Sequence, residues 1–178
     1  MTLDRLWAGW RAEYIEGVAG APEPRPGECL FCALAALDDE EGRVLARNEH
    51  AFAVMNAYPY TSGHLMVASL RHEATLSGLG REEGAALMAL TQDATAAIDV
   101  AYRPEGMNVG VNIGRAGGAG IPGHVHVHAL PRWNGDTNFM TAVAETRVMP
   151  ESLRTSYDKL RAAWPAPTPA GPVGSVTA

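Results

Sequence analysis

Three histidines alternate with apolar residues in the segment HVHVHAL, at positions 124, 126 and 128. Side chains alternate between the two faces of a β-strand, so His124, His126 and His128 would share one face, with neighbours about 6.5–7 Å apart. Adjacent imidazoles disfavour one another's protonation, which keeps at least some of them neutral near pH 7. A neutral imidazole can act as a nucleophile, a base or a metal ligand. This segment is therefore a candidate active site.

The chain has two cysteines, Cys29 and Cys32, which form a C-x-x-C motif. Thiolates combined with imidazoles suit tetrahedral Zn²⁺. The same spacing occurs in redox pairs, but their usual setting, a strand followed by a motif that opens a helix, is not apparent here. A third interpretation is a pair of buried free thiols in a protein without metal. The motif favours zinc, and the two other interpretations stay open.

Apolar patterning predicts the elements that position these residues. Strands are predicted at residues 43–47, 50–56, 64–70, 107–113 and 124–130, and helices at 3–15, 73–102 and 150–164. Loops rich in glycine or proline are expected at 20–27 and 114–123. This order contains too few alternating strand–helix units for a doubly wound sheet. It favours an α+β fold, with an antiparallel β-meander sheet packed with a long helix and short terminal helices.

Length and composition are those of one domain. The chain has 178 residues, of which 47% are hydrophobic, so it can bury a core without help from a metal or a disulfide. We expect a single domain at residues 1–164. The Pro/Ala/Gly-rich tail at 165–178 is expected to be disordered because of its composition.

Charge and hydropathy argue against several classes of function. The 14 basic and 20 acidic residues give a net charge of −6, which is unfavourable for a general nucleic-acid binder or a basic membrane-surface protein. No apolar run reaches the ~18 residues that a membrane-spanning helix needs. The first residues do not resemble a secretion signal. We therefore expect a cytoplasmic protein whose partner is a small molecule, with neither nucleic acid nor membrane.

The segments around the three histidines resemble the histidine-triad (HIT) family. HVHVHAL fits the family motif His-φ-His-φ-His-φ-φ, with φ apolar, at every position. NIG at 112–114 and the glycine-rich residues 117–120 precede it, and PRW at 131–133 follows it. Earlier in the chain, Asn56 and the segment YTSGHLMV at 60–67 resemble the family's N…PGH-φ-φ-φ signature. The resemblance covers about residues 3–164 and implies a HIT-like α+β fold.

Two further segments look like the bacterial branch of this family, which includes diadenosine tetraphosphate phosphorylases and hydrolases. They are LWAGWRAEY at residues 6–14 and PRWNGDTNFM at residues 131–140. The resemblance implies a nucleotide hydrolase or transferase that cleaves a nucleoside 5′-phosphate, such as AMP from diadenosine tetraphosphate. The implied reaction proceeds through a covalent nucleotidyl-histidine intermediate. The acceptor, whether water, phosphate or another group, is left open.

The resemblance also assigns roles to residues. The catalytic pair is His126, as nucleophile, and His128, as a contact to the phosphate or the leaving group. The nucleotide-binding positions are Asn56, Asn112, Gly118, Ala119, Gly120, His128 and Trp133. Backbone N–H groups of the glycine-rich turn would hold phosphate oxygens, and the tryptophan would stack on a base or a leaving nucleoside. The alternatives are turn-capping asparagines and ordinary packing of the tryptophan.

Many relatives carry a structural zinc, and the resemblance implies its ligands in this chain. They are Cys29, Cys32, His72 and His124, with His50 as the rival third ligand. A closed Cys₂His₂ set leaves no open coordination position, so such a zinc would be structural. A regular strand would point His124 and its neighbour at 126 the same way, so separate roles for them require a local bend.

Three other functions remain open. A nucleoside phosphoramidate hydrolase and a nucleotide-sugar nucleotidylyltransferase would share the same covalent intermediate. From another class, a zinc-dependent hydrolase would use all three motif histidines as ligands of a catalytic metal. The relatives form homodimers and some assemble further, so the resemblance also implies a homodimer or a higher homo-oligomer.

Overall fold

The computed structural model describes residues 29–136 and 149–166. In those ranges the helices are α1 (Leu30–Ala36), α2 (Arg81–Tyr102) and α3 (Leu153–Ala163), with a 3-10 turn at Leu76–Gly78. The strands are β1 (Val44–Arg47), β2 (Ala51–Met55), β3 (Leu65–Ser69), β4 (Gly106–Val111) and β5 (His126–Arg132). The predicted helix at 3–15, the loop at 20–27 and most of the tail at 165–178 lie outside the described residues.

The strands form one antiparallel sheet in the order β1-β2-β3-β5-β4, which confirms the α+β class. The first three strands form the predicted meander. The chain then crosses through α2 to β4 at the sheet edge, and β5 returns to pair between β3 and β4. The 22 residues of α2 extend about 33 Å, which is enough to carry the chain past one strand position. As a result, β5 has a neighbour on each side.

Different helices cover the two faces of the sheet. Strand residues that pack with α2 and α3 on one face include Leu65, Val67, Val127 and Ala129. On the other face, Phe31 of α1 belongs to a second apolar cluster. In the register between β3 and β5, Met66 lies opposite His128 and Ala68 lies opposite His126. Because Met66 and Ala68 belong to the second cluster, both histidines lie on the α1 face.

The helix α1 was not predicted from the sequence. Cys29 is its N-cap and Cys32 lies in its first turn, so the C-x-x-C motif does open a helix. Seven residues are too few for a helix that is stable alone. Arg47 stabilises its C-terminal end by donating to the carbonyls of Ala35 and Leu37, at 2.8 and 3.0 Å.

Two helices begin later than predicted because capping interactions set their starts. The backbone N–H of Gly80 donates to Oε2 of Glu83 at 2.6 Å, and α2 begins at the next residue. The hydroxyl of Ser152 accepts from the N–H of Thr155 at 3.1 Å and caps α3. Pro150 therefore lies before the helix. The prediction that it lies in the first turn of the helix is wrong.

The exposed side of α2 carries charged and polar residues such as Glu82, Gln92 and Asp99. Within residues 29–136 and 149–166, no helix combines the length and the apolar character needed to cross a bilayer.

Candidate active site

The strand that carries the histidine motif begins at His126, and the prediction that it begins at residue 124 is wrong. The N–H of His124 donates to the carbonyl of Ile121 at 3.4 Å, which closes a turn. The N–H of Val125 then donates to the carbonyl of Glu73 at 2.6 Å, outside the sheet. These two hydrogen bonds bend the chain directly before the strand. The bend allows His124 and His126 to have separate roles.

His126 is 3% exposed and is held in one orientation. Its Nδ1 lies 2.8 Å from the carbonyl oxygen of His124. Because a carbonyl can only accept, Nδ1 carries the proton and Nε2 keeps its lone pair. Burial lowers the pKa of His126, so the ring is neutral near pH 7. The structure therefore provides a neutral imidazole with a nucleophilic Nε2.

His64 determines which nitrogen of His128 carries the proton. The N–H of Tyr60 donates to Nδ1 of His64 at 3.0 Å, so His64 is protonated on Nε2. That Nε2 donates to Nδ1 of His128 at 2.9 Å. His128 is then protonated on its own Nε2, which can donate to a bound group. Burial, and to a lesser extent repulsion between the protonated forms of His128 and His126, lowers the pKa of His128 to about 4.

His64 lies in the segment YTSGHLMV, and the sequence predicts no role for it. It is fully buried directly before β3. The preceding Gly63 has φ of +81°, which favours glycine, and a Cβ there would lie 2.5 Å from the ring of Tyr102. A histidine next to a continuous apolar strand was an available signal, because a buried imidazole needs a polar partner.

Cys29, Cys32, His72 and His124 form a second cluster, in which the four ligand atoms lie within 4.8 Å of one another. Sγ of Cys29 is 3.3 Å from Nδ1 of His124, and Sγ of Cys32 is 3.3 Å from Nδ1 of His72. A tetrahedral zinc ion, with bonds of about 2.3 Å to sulfur and about 2.0 Å to nitrogen, separates such ligands by about 3.6 Å. The arrangement therefore fits a zinc ion with little movement.

The orientation of His124 separates this cluster from the nucleophile. Its Nε2 donates to the carbonyl of Ser69 at 2.8 Å, which leaves the Nδ1 lone pair for a metal. The motif histidines therefore do not direct three lone pairs at one point, as a three-histidine catalytic zinc would need. His50 lies between β1 and β2, and the metal-ligand cluster found in the described part of the chain contains His72 instead.

Internal hydrogen bonds hold the glycine-rich turn before the motif. The N–H of Gly118 donates to the carbonyl of Arg115 at 2.9 Å, and that of Ala119 donates to the carbonyl of Gly114 at 3.2 Å. The amide of Asn112 donates to the carbonyl of Gly118 at 3.5 Å, which connects the turn to the end of β4. Two of the backbone N–H groups that were predicted to bind phosphate therefore donate within the turn. Phosphate binding by this turn stays a prediction.

The structure brings Asn56 close to the site histidines. Its Nδ2 lies 3.3 Å from Nδ1 of His64, and its Oδ1 accepts from the N–H of Tyr58 at 2.9 Å. Trp133 instead packs edge-on against Tyr102, with ring centroids 6.2 Å apart. A nucleotide contact stays a prediction for both residues.

The stability of the folded protein should fall between pH 7 and pH 5, partly because of His128. The pKa of His128 is about 4 when folded, against an ordinary value of 6.5, so between these values the unfolded chain binds the proton more readily. The stabilisation present above pH 6.5 is therefore lost as the pH falls. His128→Asn should lose less stability than the wild type in urea unfolding at the two pH values. Equal losses would contradict the lowered pKa. The variant keeps all four residues of the Cys/His cluster, so the cluster does not distinguish the two proteins.

A histidine anchored through Nδ1 to a carbonyl, beside a second histidine that offers an N–H, defines a histidine-triad type of site on this α+β sheet. The HIT domain family model matches residues 38–135, which is more than half of the chain. The chain belongs to the HIT family.

Comparison with similar proteins indicates which type of activity the chain has. The chain is 40% identical over 165 residues to a Mycobacterium tuberculosis protein named AP-4-A phosphorylase, covering 91% of this chain and 85% of that one. A zinc-bound histidine triad family protein from Mycobacterium smegmatis is 26% identical with a TM-score of 0.62, over 78% of this chain and 94% of that one. A hypothetical histidine triad nucleotide-binding protein from Sulfolobus tokodaii shares the fold, at 24% identity and a TM-score of 0.62 over 76% and 91% of the two chains. The chain is thus a HIT-type nucleotide phosphorylase or hydrolase.

Proposed function

We propose that the protein cleaves a dinucleoside polyphosphate such as diadenosine tetraphosphate and transfers its AMP group to phosphate through nucleotidyl-His126. The observation that carries this proposal is the hydrogen bond from Nδ1 of His126 to the carbonyl of His124. It leaves Nε2 unprotonated, next to a histidine that can donate a proton. The 40% identity to the protein named AP-4-A phosphorylase supports the choice of substrate and acceptor.

In the first step, Nε2 of His126 forms a bond to the α-phosphorus. The P–O bond to the leaving ATP breaks, and its electron pair goes to the leaving oxygen. The Nδ1–H of the same ring keeps its hydrogen bond to the carbonyl of His124. This hydrogen bond stabilises the positive charge of the adduct. The Nε2–H of His128 donates to the leaving oxygen. His64 acts on this step by positioning His128 and by fixing its tautomer.

In the second step, an oxygen of inorganic phosphate attacks the same phosphorus. The P–N bond breaks, its electron pair returns to Nε2 of His126, and ADP is released. Water in place of phosphate would give AMP. In the nucleotidylyltransferase alternative, both the leaving group and the acceptor would be sugar phosphates. In the phosphoramidate hydrolase alternative, the leaving group would be an amine and the acceptor would be water.

We propose that Asn56, Asn112, the turn at 118–120 and Trp133 contact the bound nucleotide. The proximity of Asn56 to His64 supports its role on the phosphate or ribose side. The turn and Asn112 lie directly before the motif in the chain, where a bound phosphate needs donors. For Trp133, the support is its position immediately after β5.

We propose a structural zinc at Cys29, Cys32, His72 and His124, supported by the distances within that cluster. A cytoplasmic location fits these thiols, since they must stay reduced to bind the metal. We also propose a homodimer joined at β4. Within the described residues β4 pairs only with β5, and an open strand edge of this kind can bind a second copy.

Product analysis tests the proposed reaction. Diadenosine tetraphosphate is incubated with the protein with and without phosphate, and the nucleotides are separated. ADP and ATP that form only with phosphate would support phosphorolysis. AMP and ATP would identify water as the acceptor. Absence of cleavage, together with cleavage of a nucleoside phosphoramidate, would contradict the proposed substrate.

A further inference from the structure

Tyr60 covers the pair of hydrogen-bonded histidines, His64 and His128, that lies beside the nucleophile. Its ring centroid is 4.6 Å from that of His64, with the two rings tilted by 47°. It is 6.0 Å from that of His128, with the two rings close to parallel at 19°. His64 is fully buried, whereas Tyr60 is 48% exposed. The tyrosine ring therefore lies between the solvent and the hydrogen bond that joins the two histidines.

Three hydrogen bonds fix the turn that carries Tyr60. Its backbone N–H donates to Nδ1 of His64 at 3.0 Å. The N–H of Asn56 donates to the carbonyl of His64 at 3.1 Å, which closes the turn before β3. The hydroxyl of Thr61 donates to the carbonyl of Pro131 at 3.1 Å and connects the turn to β5. These contacts hold the tyrosine in one place relative to the strand that carries the histidine motif.

We propose that Tyr60 is a positioning residue, whose ring excludes water from the His64–His128 hydrogen bond and thereby keeps the proton on Nε2 of His128. Water at this hydrogen bond would compete for both nitrogen atoms, because it can donate to Nδ1 of His128 and accept from Nε2 of His64. The hydrogen bond would then no longer select one tautomer of His128. A ring stacked on the face of an imidazole leaves its nitrogen atoms accessible at the edge.

The groups around His128 give this shielding a second measurable consequence. The titratable groups that face it are His64 and Tyr60 from the same turn, and His126 from its own strand. Burial is the main reason why the pKa of His128 is lowered from 6.5 to about 4. Removal of the tyrosine ring would return water to the imidazole, so the pKa of His128 should rise.

Nitrogen NMR tests the inference without the reaction. In protein with isotopically labelled histidines, the imidazole nitrogen shifts show which atom carries the proton, and His128→Asn identifies the signals by their loss. The wild type should show His128 protonated on Nε2. Tyr60→Ala should show a mixture of tautomers, and the pKa of His128 should move from about 4 toward 6.5.

Kinetics test the consequence for catalysis, and this part of the inference rests on the proposed function, because it needs His128 as the donor to the leaving oxygen. Tyr60→Ala should lower kcat for diadenosine tetraphosphate by about tenfold, which is a fraction of what a positioned proton donor contributes. The KM should stay close to that of the wild type, since the change affects the proton and not the binding contacts.

Three variants control for other effects of the substitution. Tyr60→Phe keeps the ring and should restore the wild-type tautomer, pKa and kcat. Tyr60→Leu serves if the alanine variant fails to fold, and should give a smaller change in the same direction. Tyr58→Ala removes a neighbouring tyrosine that is 86% exposed, and should change none of the three measurements.

The outcomes separate this inference from the proposed function. If Tyr60→Ala keeps the tautomer and the pKa of the wild type, the inference is overturned whatever the rate. It is also overturned if Tyr60→Phe behaves like Tyr60→Ala, because the hydroxyl and not the ring would then act, or if Tyr58→Ala gives the same change. If the tautomer shifts as expected but the wild type does not cleave diadenosine tetraphosphate, the role of the ring at His128 stands and the proposed function is wrong.

Discussion

His126→Ala should lower turnover of diadenosine tetraphosphate by roughly a thousandfold or more, because the covalent step has no substitute nucleophile. The neighbouring histidines cannot replace it. Nδ1 of His128 accepts from His64, and its Nε2 carries a proton. Nε2 of His124 donates to the carbonyl of Ser69, and its Nδ1 lies beside the thiol of Cys29. Nucleotide binding should persist, since the variant keeps every other proposed contact. Single-turnover kinetics and calorimetric binding of AMP measure the two effects separately.

Trapping the intermediate tests the same residue without relying on a rate. A reaction with radiolabelled substrate, quenched rapidly, should leave acid-labile, base-stable label on the wild type and none on His126→Ala or His126→Asn. His50→Ala is the matched control, since it removes an imidazole from outside the site and should still become labelled. Near-normal rates in the His126 variants would contradict the covalent mechanism and favour a metal-dependent hydrolysis.

The strand that carries the histidine motif, β5, could be predicted from the sequence together with the face that its histidines occupy, because a strict alternation has one good structural solution. Val127 and Ala129 pack in the core with α2, so His126 and His128 must face the other side of the sheet. The same logic located the other four strands to within two residues at their ends. Period-two patterns are local, and the sequence contains them in full.

The remaining features of the site depend on contacts that no local pattern contains. The strand begins at His126 because the N–H of Val125 donates to the carbonyl of Glu73, more than fifty positions earlier in the chain. The helix α1 forms because Arg47 and the Cys/His cluster hold it, and its seven residues alone would not predict it. The role of His64 follows from a backbone N–H that fixes its tautomer, and spacing along the chain does not reveal that bond.

Cys29→Ser should lower zinc content and thermal stability together, because the binding energy of a structural metal is also folding energy. The cluster connects α1 to the end of β3 and to the turn before β5, so its loss affects the elements on both sides of the nucleophile. We expect the midpoint of thermal unfolding to fall by about 10 °C, which corresponds to a few kcal/mol for a domain of this size. Zinc per chain by elemental analysis and unfolding by calorimetry measure the two effects.

The choice of histidine ligand is tested in the same experiment. His72→Ala should behave like Cys29→Ser, since Nδ1 of His72 lies 3.3 Å from Sγ of Cys32, whereas His50→Ala should keep both the zinc and the stability. If His50→Ala loses the metal instead, the third ligand is misassigned.

Chelation distinguishes a structural metal from a catalytic one. Removal of a structural zinc lowers the stability of the protein, but the molecules that remain folded still turn over substrate. A stable, inactive protein after chelation would show that the metal takes part in the reaction, and unchanged stability of the zinc-free protein would show that the cluster does not stabilise the fold.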